Sequence, residues 1–410
     1  MPDSASVSPE RPHFPADQPH GAARRSHHGA DAAWYFTVFT TFALLGYWFA
    51  KGYMRLGWDV GWRTSQFFFN YQNLGFVKRA LIGSLLYPFP ALRRGEIFLG
   101  LSAAFVCAFV ALFTVLFLRS IRLLERKSRL MLTAICAASP ALFLRQGFDL
   151  GRYDVLGLIA VIVSLFALDR GRWWLAGLAS AVALLAHEAY IVINFPLVVA
   201  YALTGAPALR ANRRGLWLLL LPPLVTTVLL AVYGLYEPGL EALTRYFAGD
   251  PRYLAAKGGA VDVDAVAVLT RGMAENVDFV ARMFWEKRAY LHLPVILAWG
   301  GVMTWFFHAF HRDNALKRGV LYYAAFTPLL LSAIASDYYR WVALAATNMF
   351  LVILVEIDRL GQRGLAATIP RRWPAWLLVA SALLGPISNT KSFPLFFTLL
   401  DRFFPGKILW

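Results

Sequence analysis

Apolar runs long enough to cross a lipid bilayer recur along this chain, and they leave very few folds open to it. Inside hydrocarbon every backbone N–H and C=O must find a partner within the protein, so only helices and closed barrels span. A run of about 20 mostly apolar residues selects the helix. Runs of that kind lie near 34–50, 97–118, 216–233, 291–310, 320–335, 341–355 and 373–387, and shorter or interrupted ones near 130–144, 155–168, 174–186 and 190–203. Together they predict about eleven spans. The 59% hydrophobic share and the mean hydropathy of +0.53 agree with the bilayer as solvent. The expected fold is all-α, a polytopic transmembrane helical bundle forming one membrane domain over 32–410. Residues 1–31 are rich in Pro, Ser, His and Ala without an apolar core, which reads as a disordered cytoplasmic tail rather than a signal peptide.

Threading these spans from an inside N-terminus puts Arg122, Arg126, Lys127 and Arg129, then Arg170 and Arg172, then Arg210, Arg213 and Arg214, then Arg312, Lys317 and Arg318, and finally Arg359, Arg363, Arg371 and Arg372 in short inner loops. That is the positive-inside pattern, with the C-terminus outside. It gives the net charge of +16 a topological meaning and contacts with anionic membrane lipids, and no zinc-finger, RRM-like or helix-turn-helix pattern supports nucleic-acid binding. Cys107 and Cys136 both fall within apolar runs, so neither a disulfide framework nor a Cys-type metal site is indicated.

Two outer loops are long, 51–96 and 236–290. The first contains GWDVGWRTSQFFFNYQNLGFVKRALIGSLLYPFP, and its aromatics Trp58, Trp62, Phe67, Phe68, Phe69, Tyr71 and Phe76 suit a helix lying in the membrane interface. In the second, Pro238, Pro251 and the Gly258-Gly259 pair mark turns between short helices, one helical stretch is expected over 262–287, and the whole could cap a cavity.

Ionisable residues at the edges of the spans gather on the outer side, opposite the basic loops. Holding such a group at membrane depth costs roughly 2.5 to 3.5 kcal/mol on insertion scales, so clusters of them mark a pathway or a site. Asp59, in GWDVGW, is the sole carboxylate between Ala50 and Pro90, and can be a general base at the lipid-water boundary or a partner for Arg55 or Arg63. Lys78 and Arg79 can anchor headgroups or bind a phosphate. Arg145, Asp149, Arg152 and Asp154 share one hairpin, where the arginines suit bidentate phosphate contact and the carboxylates can hold them in place or bind hydroxyl groups; a self-satisfied ionic turn is the other reading. His187 and Glu188 stand at the outer end of a span with no HExxH, which argues against zinc. Asp337 and Arg340, three residues apart, fit an ion pair on one helix face.

An acid in the first outer loop, an interfacial helix after it, a G-F…LYP stretch, an SP…GR.D hairpin and an HE at a span end together resemble the GT-C superfamily of integral membrane glycosyltransferases. The pattern is also similar to the polytopic polymerases that assemble O-antigen and capsule repeats. The resemblance covers roughly residues 34–195 and 337–341. It implies inverting transfer from a polyprenyl-phosphate or polyprenyl-diphosphate linked sugar donor to a glycan or lipid-linked acceptor, at the periplasmic face of a bacterial inner membrane. The first-loop acid would be the base, a role that carries over to Asp59, and Lys78, Arg79, Arg145, Arg152 and Arg340 would hold the leaving phosphate; no metal or other cofactor is expected. Val60 and Gly61 follow Asp59 where many of these enzymes have a second acid, and no soluble outer domain is seen in these residues, which leaves acceptor recognition to 236–290. The competing readings are a non-catalytic flippase or exporter of lipid-linked glycans and a membrane assembly subunit.

Overall fold

The structure, a computed structural model, describes residues 61–124, 126–205, 212–286, 315–335 and 337–360, together with isolated positions. The spans expected at 34–50, 291–310 and 373–387, and the tail 1–31, lie outside these stretches. Among the described residues there are sixteen α-helices, three 3-10 helices and no strand.

Three helices are long and apolar enough to cross a membrane: α3 (Gly95–Ile121), α10 (Arg213–Tyr233) and α16 (Tyr338–Leu360). The apolar window of α16 is 94% buried, against 22% for α3 and α10. That makes α16 the central helix and turns the other two outward, with Trp217, Leu221, Val225, Val228 and Val232 of α10 exposed. The expected spans at 155–168 and 174–186 appear as α6 (Asp154–Asp169) and α7 (Trp173–Ala186).

Three expected spans are broken, each at a proline. The first becomes α4 (Arg126–Ala138), stopping before Ser139-Pro140 and followed by α5 (Phe143–Phe148). Residues 190–203 divide into α8 (Tyr190–Ile193) and α9 (Phe195–Thr204), with Pro196 in the first turn of α9. Residues 320–335 divide into α15 (Ala315–Phe326) and the 3-10 turn Thr327–Ala333. A proline cannot donate to the preceding turn and fixes its own φ, so each break frees backbone groups that need other partners. The central helix supplies them. Thr347 donates to the Ala141 carbonyl at 3.2 Å, Asn348 Nδ2 to the Ile193 carbonyl at 2.6 Å, and Asn194 Nδ2 to Asn348 Oδ1 at 2.9 Å.

α10 carries Pro222 and Pro223 in its middle. They leave the carbonyls of Leu218 and Leu219, four residues earlier, without their helical donors. Gly177 of α7 sits against those two oxygens, and a Cβ there would lie 2.3 Å from one and 3.1 Å from the other. The missing side chain lets the two helices meet backbone to backbone.

The end of the bundle from which the basic loops emerge is held by its own ion pairs. Arg119 bridges Asp358 at 2.6 Å and Asp169 at 3.3 Å, Tyr201 donates to Asp169, and Lys317 pairs with Glu356.

At the other end the two long loops pack together into a second core. The first forms a 3-10 helix (Gly61–Phe68), α1 (Tyr71–Leu74) and α2 (Leu81–Leu86). The second forms α11 (Gly239–Ala248), α12 (Pro251–Lys257), α13 (Val263–Ala267) and α14 (Met273–Glu286). The single helix expected over 262–287 is therefore two, parted at Gly272, whose N–H donates to Glu275 at 2.9 Å. Phe67, Phe68 and Phe69 correct the interfacial expectation. All three are buried, Phe67 stacked on Phe98 at 4.7 Å, Phe68 edge-on to Tyr253 at 5.2 Å and Phe69 against Phe247 at 6.0 Å. Residues in a 3-10 turn point in three directions, and the second loop together with the start of α3 covers all of them, so ring area that could have met lipid is removed from water in a core. Trp62, and Tyr71 and Phe76, which stack on each other at 5.5 Å, keep part of the surface. α2 seats tightly on this turn because a Cβ at Gly83 would fall 1.9 Å from the Phe69 carbonyl oxygen. The second loop is thus docked, with Ser65 bonded to Tyr253 at 2.9 Å and Lys78 N–H to the Gly234 carbonyl at 2.9 Å.

Candidate functional site: a buried guanidinium cluster

Where the second core meets the bundle, charges from five chain segments converge. The 3-10 helix brings Arg63, α5 brings Arg145, the turn after it Asp149 and Arg152, α6 opens with Asp154, and α16 brings Arg340, preceded by Asp337.

Asp154 sits at the base. It accepts two hydrogen bonds from Arg340, Nε to Oδ2 at 2.7 Å and Nη2 to Oδ1 at 2.6 Å, and one from Arg145 at 3.1 Å. Asp337 accepts from Arg340 at 2.9 Å, the pairing expected from a spacing of three, and from Arg152 at 3.3 Å. Asp149 faces three guanidinium groups: Arg63 at 2.8 Å, Arg152 at 3.5 Å and Arg145 at 3.7 Å. The Trp62 ring lies within 5.3 Å of the Arg63 guanidinium and 5.1 Å of that of Arg152, a face that stabilises both cations.

His187 joins this group to a second pair nearer the surface. An arginine has no lone pair to offer, so His187 Nε2 accepts from Arg340 Nη2 at 2.9 Å, while Nδ1 lies 3.2 Å from the Ala189 N–H and 3.5 Å from Glu188 Oε2. Glu188 in turn holds Arg79 with both oxygens, at 3.0, 2.8 and 2.5 Å. Arg79 adopts φ +63°, a left-handed conformation uncommon outside Gly, Asn and Asp; such strain persists where surrounding contacts fix it, here the Glu188 pair. Lys78 feels the charges of Glu188 and Arg79 without a direct hydrogen bond to either. Its ammonium donates to the Arg271 carbonyl at 3.0 Å, tying the two loops together. Asp59 lies outside the described residues.

Burial drives the His187 imidazole from its ordinary 6.5 down to about 3, helped by Arg79 and opposed by Glu188 and Asp154. For Glu188, burial alone would favour the protonated acid, but Arg79 outweighs it and holds the carboxyl well below the ordinary range. Asp337 is likewise lowered, by Arg152 and Arg340 against burial. All three effects share one sign. Between pH 6.5 and about 3 an unfolded chain protonates His187 while the folded one does not, so stability falls as pH falls through that window, by at most about 1.4 kcal/mol per pH unit from this one group. Thermal unfolding in detergent is expected to show a loss that begins above the carboxylate range, and His187→Gln should flatten it; an unchanged pH slope in that variant would contradict the neutral buried imidazole.

The cations are incompletely matched. Five guanidinium groups, those of Arg63, Arg79, Arg145, Arg152 and Arg340, face four carboxylates. Arg63 Nε, Arg145 Nε and Nη1, and Arg152 Nε and Nη2 are buried and make no hydrogen bond among the described residues. An unmade bond at a buried donor costs about 1–3 kcal/mol, more for a charged one. Donors of this kind in a shared cation-rich site suit a multi-oxygen anion, because the guanidinium fork matches phosphate geometry. Among the described residues no three His, Cys, Asp or Glu side chains gather to hold a metal ion.

Arg63 and Trp62 are the site residues that pattern reading did not select. They stand in the same GWDVGWR stretch as Asp59, and the signal was that motif's second half. No family model, no curated protein and no solved structure matches this chain.

Proposed function

We propose that the chain is a membrane glycosyltransferase or polysaccharide polymerase with a GT-C-like bundle of about eleven spans, using a polyprenyl-phosphate or polyprenyl-diphosphate linked sugar at the periplasmic face of a bacterial inner membrane. The observation that carries this reading is the set of buried guanidinium N–H groups of Arg63, Arg145 and Arg152 that make no hydrogen bond among the described residues, at one end of an apolar bundle. A leaving phosphate gains charge as its bond to the sugar breaks, and fixed donors in a water-poor site stabilise that charge without reorganising. In the reaction, the acceptor hydroxyl oxygen attacks the anomeric carbon, the carbon–oxygen bond to phosphate breaks with its electron pair going to the phosphate, and the hydroxyl proton passes to Asp59. Arg340, His187 and the Arg79–Glu188 pair act as positioning residues behind the donors.

The test is transfer by the full chain in proteoliposomes supplied with polyprenyl-linked sugars and an acceptor glycan. Formation of a glycosidic bond with release of the polyprenyl phosphate or diphosphate is expected. Arg152→Lys, which keeps the charge and loses the fork, should lower turnover at least tenfold, about the value of one charge-assisted hydrogen bond. Movement of the donor across the bilayer without bond formation would instead make the chain an exporter.

A further inference from the structure

The residues after α2 meet α11 and α12 in an open cleft of about 700 Å3. Arg93 lies in its floor, 7% exposed, bonded to Asp250 Oδ2 at 3.1 Å with its guanidinium over the rings of Phe68 at 4.6 Å and Tyr87 at 5.6 Å. The other oxygen of Asp250 accepts the N–H groups of Arg252 at 3.0 Å and Tyr253 at 3.3 Å. The carboxylate in the lining is therefore occupied on both oxygens.

Two tyrosines wall the cleft, and one amide fixes both. Asn73 Nδ2 donates to the Tyr246 hydroxyl at 2.7 Å, and the Tyr87 hydroxyl donates to Asn73 Oδ1 at 3.2 Å. Pro88, Pro90 and Pro251 add flat, rigid surface. Arg245 and Arg252 are exposed at the rim. Arg245 meets Glu241 at 3.3 Å on the same helix, but both side chains are mostly in solvent, where such a pair contributes little and yields readily.

Fixed ring faces suit the C–H face of a sugar, and unburied guanidinium groups suit a carboxylate on it. The lining consists of Asn, Tyr, Pro, Arg, Gly and Asp, with no aliphatic side chain to receive an acyl tail. We propose that this cleft binds an acidic oligosaccharide, a run of sugars bearing carboxylate groups, as the acceptor strand of the reaction. This rests on the transferase reading above. The 3-10 helix connects the two places, since Arg63 enters the guanidinium cluster and Phe68 lies under Arg93, five residues on and about 10 Å further at a rise of about 2.0 Å per residue. Leu85 and Phe89, exposed beside the cleft, make an anionic lipid headgroup the competing occupant.

The experiment uses the full chain in nanodiscs of zwitterionic lipid with no donor present. An oligogalacturonate is titrated against the intact chain and against the double variant Arg245→Gln, Arg252→Gln, with a neutral cello-oligosaccharide of equal length as control. Both substituted side chains are exposed, and unchanged thermal unfolding confirms that the variant folds. The proposal expects the acidic chain to bind at least tenfold more tightly than the neutral one, and the double variant to lose at least tenfold in affinity. Equal binding by the variant, or none by the intact chain, overturns it. So does an effect seen only as lost retention of phosphatidylglycerol from mixed nanodiscs, which would assign the cleft to a headgroup. Because no donor is used, binding without later sugar transfer sinks the transferase reading and leaves the cleft, whereas transfer without binding does the reverse.

Discussion

Arg340→Met is expected to abolish most of the folded protein. The guanidinium of Arg340 bridges Asp154 and Asp337 and also donates to His187, and its loss leaves two carboxylates, one of them fully buried, with only Arg145 and Arg152 to answer them. Removing one partner from a buried ion pair typically costs about 3–5 kcal/mol, against a total stability of about 5–15 kcal/mol for a folded protein. Methionine keeps much of the volume, so the loss comes from charge more than from a cavity. Recovery of folded protein in detergent, followed by size-exclusion chromatography and thermal unfolding, reads the outcome. Adding Asp154→Asn to Arg340→Met should restore a large part of what the single change removes, because the uncompensated charge is then gone. A single variant as stable as the parent would mean that the network does not hold α16 to α6.

The long spans at 97–118, 216–233 and 341–355 were legible because a helix that must satisfy its own backbone in lipid needs only length and apolarity, both visible in order along the chain. The prolines of SPAL, INFP and FTPL carry the signal of the three breaks, yet apolarity and length alone read each stretch as one span. The partners of the freed carbonyls were not legible, because Asn348 and Thr347 stand 155 and 206 positions from the carbonyls they bond, and nothing near either end announces the contact. Convergence of Arg145, Arg152 and Arg340 could be anticipated from the cost of leaving such groups at membrane depth. The pairing of Arg79 with Glu188 could not, being 109 positions apart and dependent on a left-handed backbone that an arginine does not advertise. Phe67, Phe68 and Phe69 went to a core for a different reason: an aromatic run reads alike for interface and core, and what decides is whether another segment covers it, here α11 to α13. Lys78 stays within reach of the Arg79 and Glu188 charges, but the hydrogen bond of its ammonium goes to the Arg271 carbonyl 193 positions away, which nothing near Lys78 announces.

Asp59→Asn is expected to lower turnover by about a hundred- to ten-thousand-fold, the usual contribution of a general base, with protein level and phosphate-donor binding preserved. Three of the four described carboxylates of the site are poor proton acceptors. Glu188 is held ionised by Arg79, Asp337 by Arg152 and Arg340, and Asp154 spends both oxygens on guanidinium groups. Asp59 stands four residues before Arg63, and a chain extends at most about 3.6 Å per residue, so its Cα lies within about 14 Å of that of Arg63. A carboxylate on that tether can meet a hydroxyl at the edge of the guanidinium cluster, and asparagine keeps its shape while removing its basicity. Measured in proteoliposomes with purified variant, near-normal transfer would exclude Asp59 and move the role to Glu188 or Asp149 in spite of their cations. Loss of the folded protein would instead show that Asp59 is an ionic partner of Arg55 or Arg63. A fall in turnover with donor affinity intact would separate the base from the phosphate site, assigning the leaving group to the arginines and the proton of the attacking hydroxyl to Asp59.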